Sequence, residues 1–287
     1  MPHTSLRRAA LRGVASLALL SCALPAAAAG LPDPGDYAAP PPGVRILALY
    51  AQHNWADAFY ARGDKAVDGL DFELDVAVAR YMHYFQVGGR TADVEVILPY
   101  ARQRIGLDGY RERGLGNPSV GATLWTHADQ TRGEYLGWAA YLSLPLGQHR
   151  DRGFAVSEDR YALDLEVGYV RKLNDRWSLD LIGQAEFYTA DRSTDVRRRP
   201  MLRGIGHLSY HVSDKTRLAL SLRQTFGMRE RLHGEQVAGA RNDTNAMLTW
   251  AYQASDAAQV QVQYAHDLRV REGVRADALQ ARLVLAF

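Results

Sequence analysis

Apolar side chains recur at every second residue along most of this chain, and no apolar run approaches the ~18 residues that a membrane-crossing helix needs. Leu70, Phe72, Leu74, Val76 and Val78 interleave with Asp71, Glu73, Asp75, Ala77 and Ala79. Val94, Val96 and Leu98 alternate with Asp93, Glu95 and Ile97. Tyr161, Leu163, Leu165 and Val167 alternate with Ala162, Asp164, Glu166 and Gly168. Leu218, Leu220 and Leu222 oppose Arg217, Ser221 and Arg223, and the chain closes on Leu279, Ala281, Leu283, Leu285 and Phe287. A period of two assigns the two sets to opposite faces of β-strands. The 47% hydrophobic content is therefore spread as one greasy face per strand.

About twelve such segments follow one another, at roughly 44–52, 69–87, 91–104, 118–126, 135–146, 160–173, 176–189, 200–213, 216–229, 242–254, 257–271 and 275–287. Several exceed the ~9–11 residues of a tilted membrane strand, so they should project beyond a bilayer. Tight turns (Gly88-Gly89-Arg90, Asn174-Asp175, Asp214-Lys215, Ser255-Asp256) alternate with longer charged or glycine-rich connections at 53–68, 105–117, 147–159, 190–199 and 230–241. The 127–134 and 272–274 links break that length rule. Alternating turns and loops specify an up-and-down arrangement, and an even strand count brings both termini to the short-turn rim.

The N-terminus reads as an export signal. Arg7, Arg8 and Arg12 precede an apolar stretch from Val14 to Leu24, and Ala27-Ala28-Ala29 offers a small-residue cleavage site. Leu19-Leu20-Ser21-Cys22 loosely matches a lipobox but would leave the alanine run unused. Cleavage removes three of the 34 basic and none of the 32 acidic residues, which takes the formal charge from +2 to −1 and gives no reason to expect a nucleic-acid partner. It also removes Cys22, the chain's one cysteine, so the mature chain has neither a disulfide nor a thiol nucleophile. The domain reading is a signal peptide at 1–29, an extended periplasmic leader at 30–43 and a barrel at 44–287.

These features together favour an all-β, transmembrane, up-and-down antiparallel barrel over a soluble sandwich, because a closed barrel satisfies every backbone N–H and C=O between its own strands. The apolar face should point to lipid and the charged face to the lumen. Arg80 and Arg171 fall on the outward parity near the turn rim, where arginine can snorkel to water. Tyr50, Tyr84, Tyr100, Trp125, Tyr135, Tyr161, Trp177, Phe187, Tyr210 and Phe226 lie near strand ends, as interfacial girdles would. A C-terminal strand closing on Phe287 resembles the assembly signal of bacterial outer-membrane barrels, which implies the barrel-assembly machinery and outer-membrane lipid as partners.

The inward positions are segregated by sign. Asp71, Glu73, Asp93, Glu95, Asp164 and Glu166 form acidic walls, and Arg203, Arg217 and Arg223 a basic one. These nine are the candidate pore-lining residues. Twelve strands give a narrow bore, so the walls either face each other across water and sort solutes, or meet and plug it. His207 and Ser209 share a face, the spacing of an outer-membrane phospholipase pair, but they sit mid-strand with inward parity and without a third partner. His207 and His211 are ~13 Å apart on a strand, too far to share a metal. The reading therefore has no catalytic residue, metal or cofactor.

Several segments carry a family resemblance: Gly35-Asp36-Tyr37 with Pro41-Pro42-Gly43; Gly114-Leu115-Gly116-Asn117-Pro118 through Trp125; Tyr141 through Gly147; Trp177-Ser178-Leu179-Asp180; Gln263 through Leu268; and Arg282 through Phe287. Together these resemble the MetA-pathway of phenol degradation family, outer-membrane transporters of Gram-negative bacteria. Family members more often carry Asp at Asn117 and a polar residue at Leu146. The resemblance implies a porin-like barrel and passive passage of small molecules, aromatic or hydrophobic ones among them. The alternatives are a non-conducting structural or adhesive barrel and a lipid-modifying enzyme.

Overall fold

The computed structural model describes residues 31–149 and 153–287, so the segment expected to be an export signal, 1–29, lies outside the described residues. Twelve antiparallel strands form the wall: β1 (Arg45–Ala61), β2 (Asp64–Val87), β3 (Arg90–Ile105), β4 (Ser119–Asp129), β5 (Glu134–Ser143), β6 (Ala162–Lys172), β7 (Trp177–Tyr188), β8 (Met201–His211), β9 (Thr216–Gly227), β10 (Arg241–Ser255), β11 (Ala258–Arg269) and β12 (Asp277–Ala286). Each pairs with its sequence neighbours, and β1 also pairs with β12 from Ile46↔Ala286 to Trp55↔Asp277. That last pairing closes the ring. No helix occurs among the described residues.

Burial follows the pleat. On β8, Met201, Arg203, Ile205, His207 and Ser209 are buried, while Leu202 and Leu208 are exposed. Val94, Val96, Leu98, Leu163, Leu165, Leu220, Leu222 and Leu248 form part of a continuous exposed apolar band. In water such a band would be an aggregation surface; in a bilayer it is the required exterior. Short turns at 88–89, 130–133, 173–176, 212–215 and 256–257 gather at the rim that also holds both ends of the wall. The 127–134 link thus obeys the length rule, because β4 and β5 extend into it.

The first hairpin departs from the sequence reading. Residues 53–61 and 64–68 are strand, and β1 and β2 run to 17 and 24 residues. They meet at Arg62-Gly63, both at positive φ (58° and 94°). Two left-handed residues suit a two-residue hairpin, but Arg-Gly is not the Asn-Gly or Asp-Gly signature that announces one. Part of the 105–117 loop is likewise strand: Tyr110–Leu115 folds back on β3.

The parity of β2 is also opposite to the expectation. Leu70, Phe72 and Leu74 are buried inside, packed with Phe59, Ile105, Val274 and the Phe154-Ala155-Val156 segment that dips in from the β5–β6 loop. Asp71 and Glu73, expected in the pore, are on the outer face. There Arg104 bridges both at 2.8 Å, and Arg102 holds Asp75 at 2.6 Å. The outer half of β2 stands above the lipid, where the exterior is wet and the interior is filled by loop side chains. Arg80 is inward as well, so it needs no snorkelling, whereas Arg171 is exposed at the short-turn rim. Among the aromatics, Tyr84 and Trp125 are buried inside and Tyr50 lines the lumen, while Tyr100, Tyr161, Trp177, Phe187 and Phe226 face outward.

Because residues 31–287 contain no cysteine, single cysteines can report this parity. Cysteine at Glu73 should react with a membrane-impermeant maleimide on intact cells at least about ten-fold faster than cysteine at Phe72, since thiol reactivity follows exposure. The reverse order would restore the sequence-based parity.

Candidate functional site

The lumen is organised by the segment that precedes β1. Residues 30–43 were expected as an extended leader outside the wall; instead residues 31–39 are folded inside the barrel, with Asp33, Tyr37 and Ala39 buried. A tight turn starts it: Asp36 N–H donates to Asp33 O at 3.1 Å, Asp33 N–H to Asp36 Oδ2 at 3.1 Å, and Gly35 takes φ +86°. The turn presents its two carboxylates to the wall. Arg282 of β12 holds Asp33 at 3.1 Å and Asp36 at 2.9 Å, and Arg80 of β2 reaches Asp36 at 3.3 Å. Gly35 N–H donates to Asp180 Oδ2 at 2.6 Å, and Arg217 Nη2 donates to Pro34 O at 2.6 Å. Tyr37 donates its hydroxyl to Glu166 at 2.5 Å, and the Trp125 indole donates to Tyr37 O at 2.9 Å. Six strands thus grip nine residues. Buried charges are tolerable here because nearly every one meets an opposite charge or a fixed dipole.

The expected pore-lining residues divide accordingly. Asp93, Glu95, Asp164, Glu166, Arg203 and Arg217 are inward. Asp93 accepts the Thr123 N–H at 2.8 Å. Glu95 accepts from Arg80 at 2.5 Å and from the Tyr141 hydroxyl at 3.0 Å. Gln184 donates to both Glu166 and Asp164, and accepts from Arg203 at 2.9 Å. Around the leader the opposite walls therefore meet through hydrogen bonds. Asp71 and Glu73 take no part. Sequence reasoning missed Asp33, Asp36, Tyr37 and Arg80. The available signal is two carboxylates and a tyrosine in an otherwise Pro-rich leader.

Above the leader lies a cavity of about 1620 Å³, counting the part open to solvent. Leu31, Pro32 and Asp33 line its leader side. Leu74, Val76, Val78, Ile97 and Val156 make one side apolar, whereas Arg223, Thr225, Asp243, Asn245 and Asp267 make the other polar. The polar groups are largely committed to one another. Arg241 holds Asp243 at 3.2 Å, Asn245 donates to Asp267 at 2.9 Å, and Asp267 also accepts the Ala276 N–H at 2.9 Å. Arg223 has no hydrogen-bond or ion-pair partner among the described residues, and it projects into this space.

His207 is sealed in the wall and bonds Ser221 Oγ at 2.7 Å, not Ser209. His211 bonds Ser178 Oγ at 3.1 Å. Neither geometry presents a nucleophile to a lipid ester.

Two substitutions test the leader's seat. Gly168 sits where any Cβ would enter the Tyr37 ring, so Gly168→Val should displace the leader and raise single-channel conductance while the barrel still shows its heat-dependent gel shift; unchanged conductance would contradict this. Arg282→Ala strands two buried carboxylates and should cost about 3–5 kcal/mol in urea unfolding from lipid vesicles, whereas a surface arginine such as Arg132 should cost little.

The comparisons agree with this architecture. The structure is similar to the COG4313 outer membrane channel from Pseudomonas putida F1, at 28% identity and TM-score 0.84, covering 90% of this chain and 100% of that one. It shares its fold with the translocator domain of the autotransporter NalP from Neisseria meningitidis (12% identity, TM-score 0.52, 99% and 95% covered). It does so too with the transport unit of the autotransporter AIDA-I from Escherichia coli (11% identity, TM-score 0.53, 96% and 98% covered). No curated protein matches the sequence. The family described as "Putative MetA-pathway of phenol degradation" matches residues 56–283. The chain belongs to that family and has the fold of an outer-membrane β-barrel.

Proposed function

We propose that this protein is a passive outer-membrane channel for small hydrophobic molecules, aromatic ones among them, and that it works without catalysis or cofactor. The observation that carries the reading is the two-sided cavity. An apolar wall accepts the ring or chain of a solute by burial, and the opposite wall offers Arg223, a cation uncommitted among the described residues, to a hydroxyl or carboxylate. A lumen built only for ions would not line one side of this cavity with Leu74, Val76, Val78 and Ile97. Likeness to an outer membrane channel and membership of a phenol-degradation family support the same conclusion.

In this reading Asp93, Glu95, Asp164, Glu166, Arg203 and Arg217, together with the leader, are the constriction. Solutes collect above it and pass when the leader shifts. Export through a cleaved signal at 1–29, insertion by the barrel-assembly machinery through the strand ending at Phe287, and a surround of outer-membrane lipid complete the proposal. A non-conducting barrel has one observation in its favour, the occupied lumen, and the same experiment separates the two.

Proteoliposomes carrying the protein should take up benzoate and toluene faster than protein-free vesicles. Arg223→Gln should slow benzoate by about ten-fold, the value of one charge-assisted hydrogen bond, and leave toluene unchanged. No uptake above the protein-free rate would favour the non-conducting barrel, and equal loss for both solutes would remove Arg223 from the site.

A further inference from the structure

The loops between β7 and β8 and between β9 and β10 form a small sheet of their own at the loop rim. Arg197–Arg198 pairs with Glu230–Leu232, which pairs with Glu235–Ala238. Its two faces differ sharply. On the inner face Arg198 is buried and held by Glu158 at 2.5 and 2.7 Å and by Glu230 at 2.7 Å, with its guanidinium 4.9 Å above the Tyr188 ring. Burial alone would push the Glu158 carboxyl up, but Arg198 and Arg160 overcome it and hold that carboxyl below the usual range. The sheet is therefore clamped to the top of the barrel by an ionised network.

The other face is a concentration of arginine. Arg197 lies directly opposite Arg231, and Arg199 N–H donates to Arg229 O at 2.9 Å. All four are exposed, and none has a hydrogen-bond partner through its side chain, or an ion-pair partner, among the described residues. Arg197, Arg199 and Arg231 line one concavity with His233, and Asp195 is the one carboxylate lining it among the described residues. Like charges placed opposite each other on a ladder are destabilising, yet the Arg198 clamp fixes this backbone so that they cannot separate. Such a face is stabilised by a multiply charged anion bound between the guanidiniums.

Its place in the fold identifies the anion's source. Below the concavity the lipid-facing residues at the loop ends of β7, β8 and β9 are Phe187, Leu202 and Phe226, all exposed and apolar. The arginines thus stand at the boundary between hydrocarbon and water, at the depth of the outer leaflet's headgroups, since longer loops mark the extracellular rim. We propose that Arg197, Arg199, Arg229 and Arg231 form a binding site for the phosphate groups of outer-leaflet lipopolysaccharide. The site lies apart from the solute cavity and is independent of what passes through it.

Native mass spectrometry of the full mature chain, loaded with bis-phosphorylated lipid A, tests this directly. The wild type should retain lipid A at least about ten-fold more tightly than Arg197→Gln/Arg231→Gln, which removes the facing pair. Arg197→Lys/Arg231→Lys should retain an intermediate amount, and dephosphorylated lipid A should bind the wild type no better than the Gln variant binds lipid A. Circular dichroism confirms a folded barrel in each case, and toluene uptake should be unchanged. Equal retention by wild type and Gln variant, or equal binding of phosphorylated and dephosphorylated lipid, overturns the proposal. Inorganic phosphate alone binding as tightly as lipid A would assign the site to a free anion and also overturn it.

Discussion

Hydrocarbon offers a backbone amide no partner, and each strand in lipid must therefore find both of its neighbours within the protein. The pairing of β1 with β12 is where this chain meets that demand. Ten consecutive residue pairs, from Ile46↔Ala286 to Trp55↔Asp277, join the two ends of the wall. Without them, two strands would each expose a row of unpaired N–H and C=O groups. With them the wall has no edge, and the choice of side chains is released from holding the sheet together. The outward residues then need only be compatible with lipid, and the inward ones can be chosen for what the lumen contains.

What the lumen contains is largely the chain's own leader and its counter-charges. Asp33 and Asp36 bring negative charge to Arg282, Arg80 and the neighbourhood of Arg217, while Tyr37 and the Gly35 amide supply donors to Glu166 and Asp180. The walls were read as acidic on one side and basic on the other; in the fold, a nine-residue segment mediates between them. A buried pair loses little on burial when both partners are satisfied and loses much when one is removed. The same logic makes the leader tightly held, because displacing it would strand Arg282 and Glu166 without their partners.

The strand count, most of the alternation of turns and loops, and the outward faces of β3, β5 to β9, β11 and β12 are legible because lipid enforces a strict rule on every residue it touches. On β2 the even-numbered face is inward all the way from Leu70 to Tyr84: Leu70, Phe72 and Leu74 pack Phe154 and Val156, Arg80 meets Glu95, and Asp71 and Glu73 turn outward. Period-two alternation is indifferent to which face is which. The Arg62-Gly63 turn was hidden because an arginine at positive φ carries no composition signal. The leader's position is hidden for a different reason: its contacts join residues far apart in the chain, such as Tyr37 with Glu166, and no local pattern reports such a pairing. Arg80 does leave a trace in the sequence: a charge on the face that alternation assigns to lipid is explained by that face pointing inward, where Arg80 meets Glu95.

Amide hydrogen exchange on the protein in lipid bilayers tests ring closure most directly. The amides of Leu47–Trp55 and Asp277–Leu285 that point across the β1–β12 seam should be as slow as those of β8, which has a neighbour on each side. Exchange of the seam amides at rates typical of an exposed sheet edge, with β8 still protected, would mean an open sheet and would contradict the account.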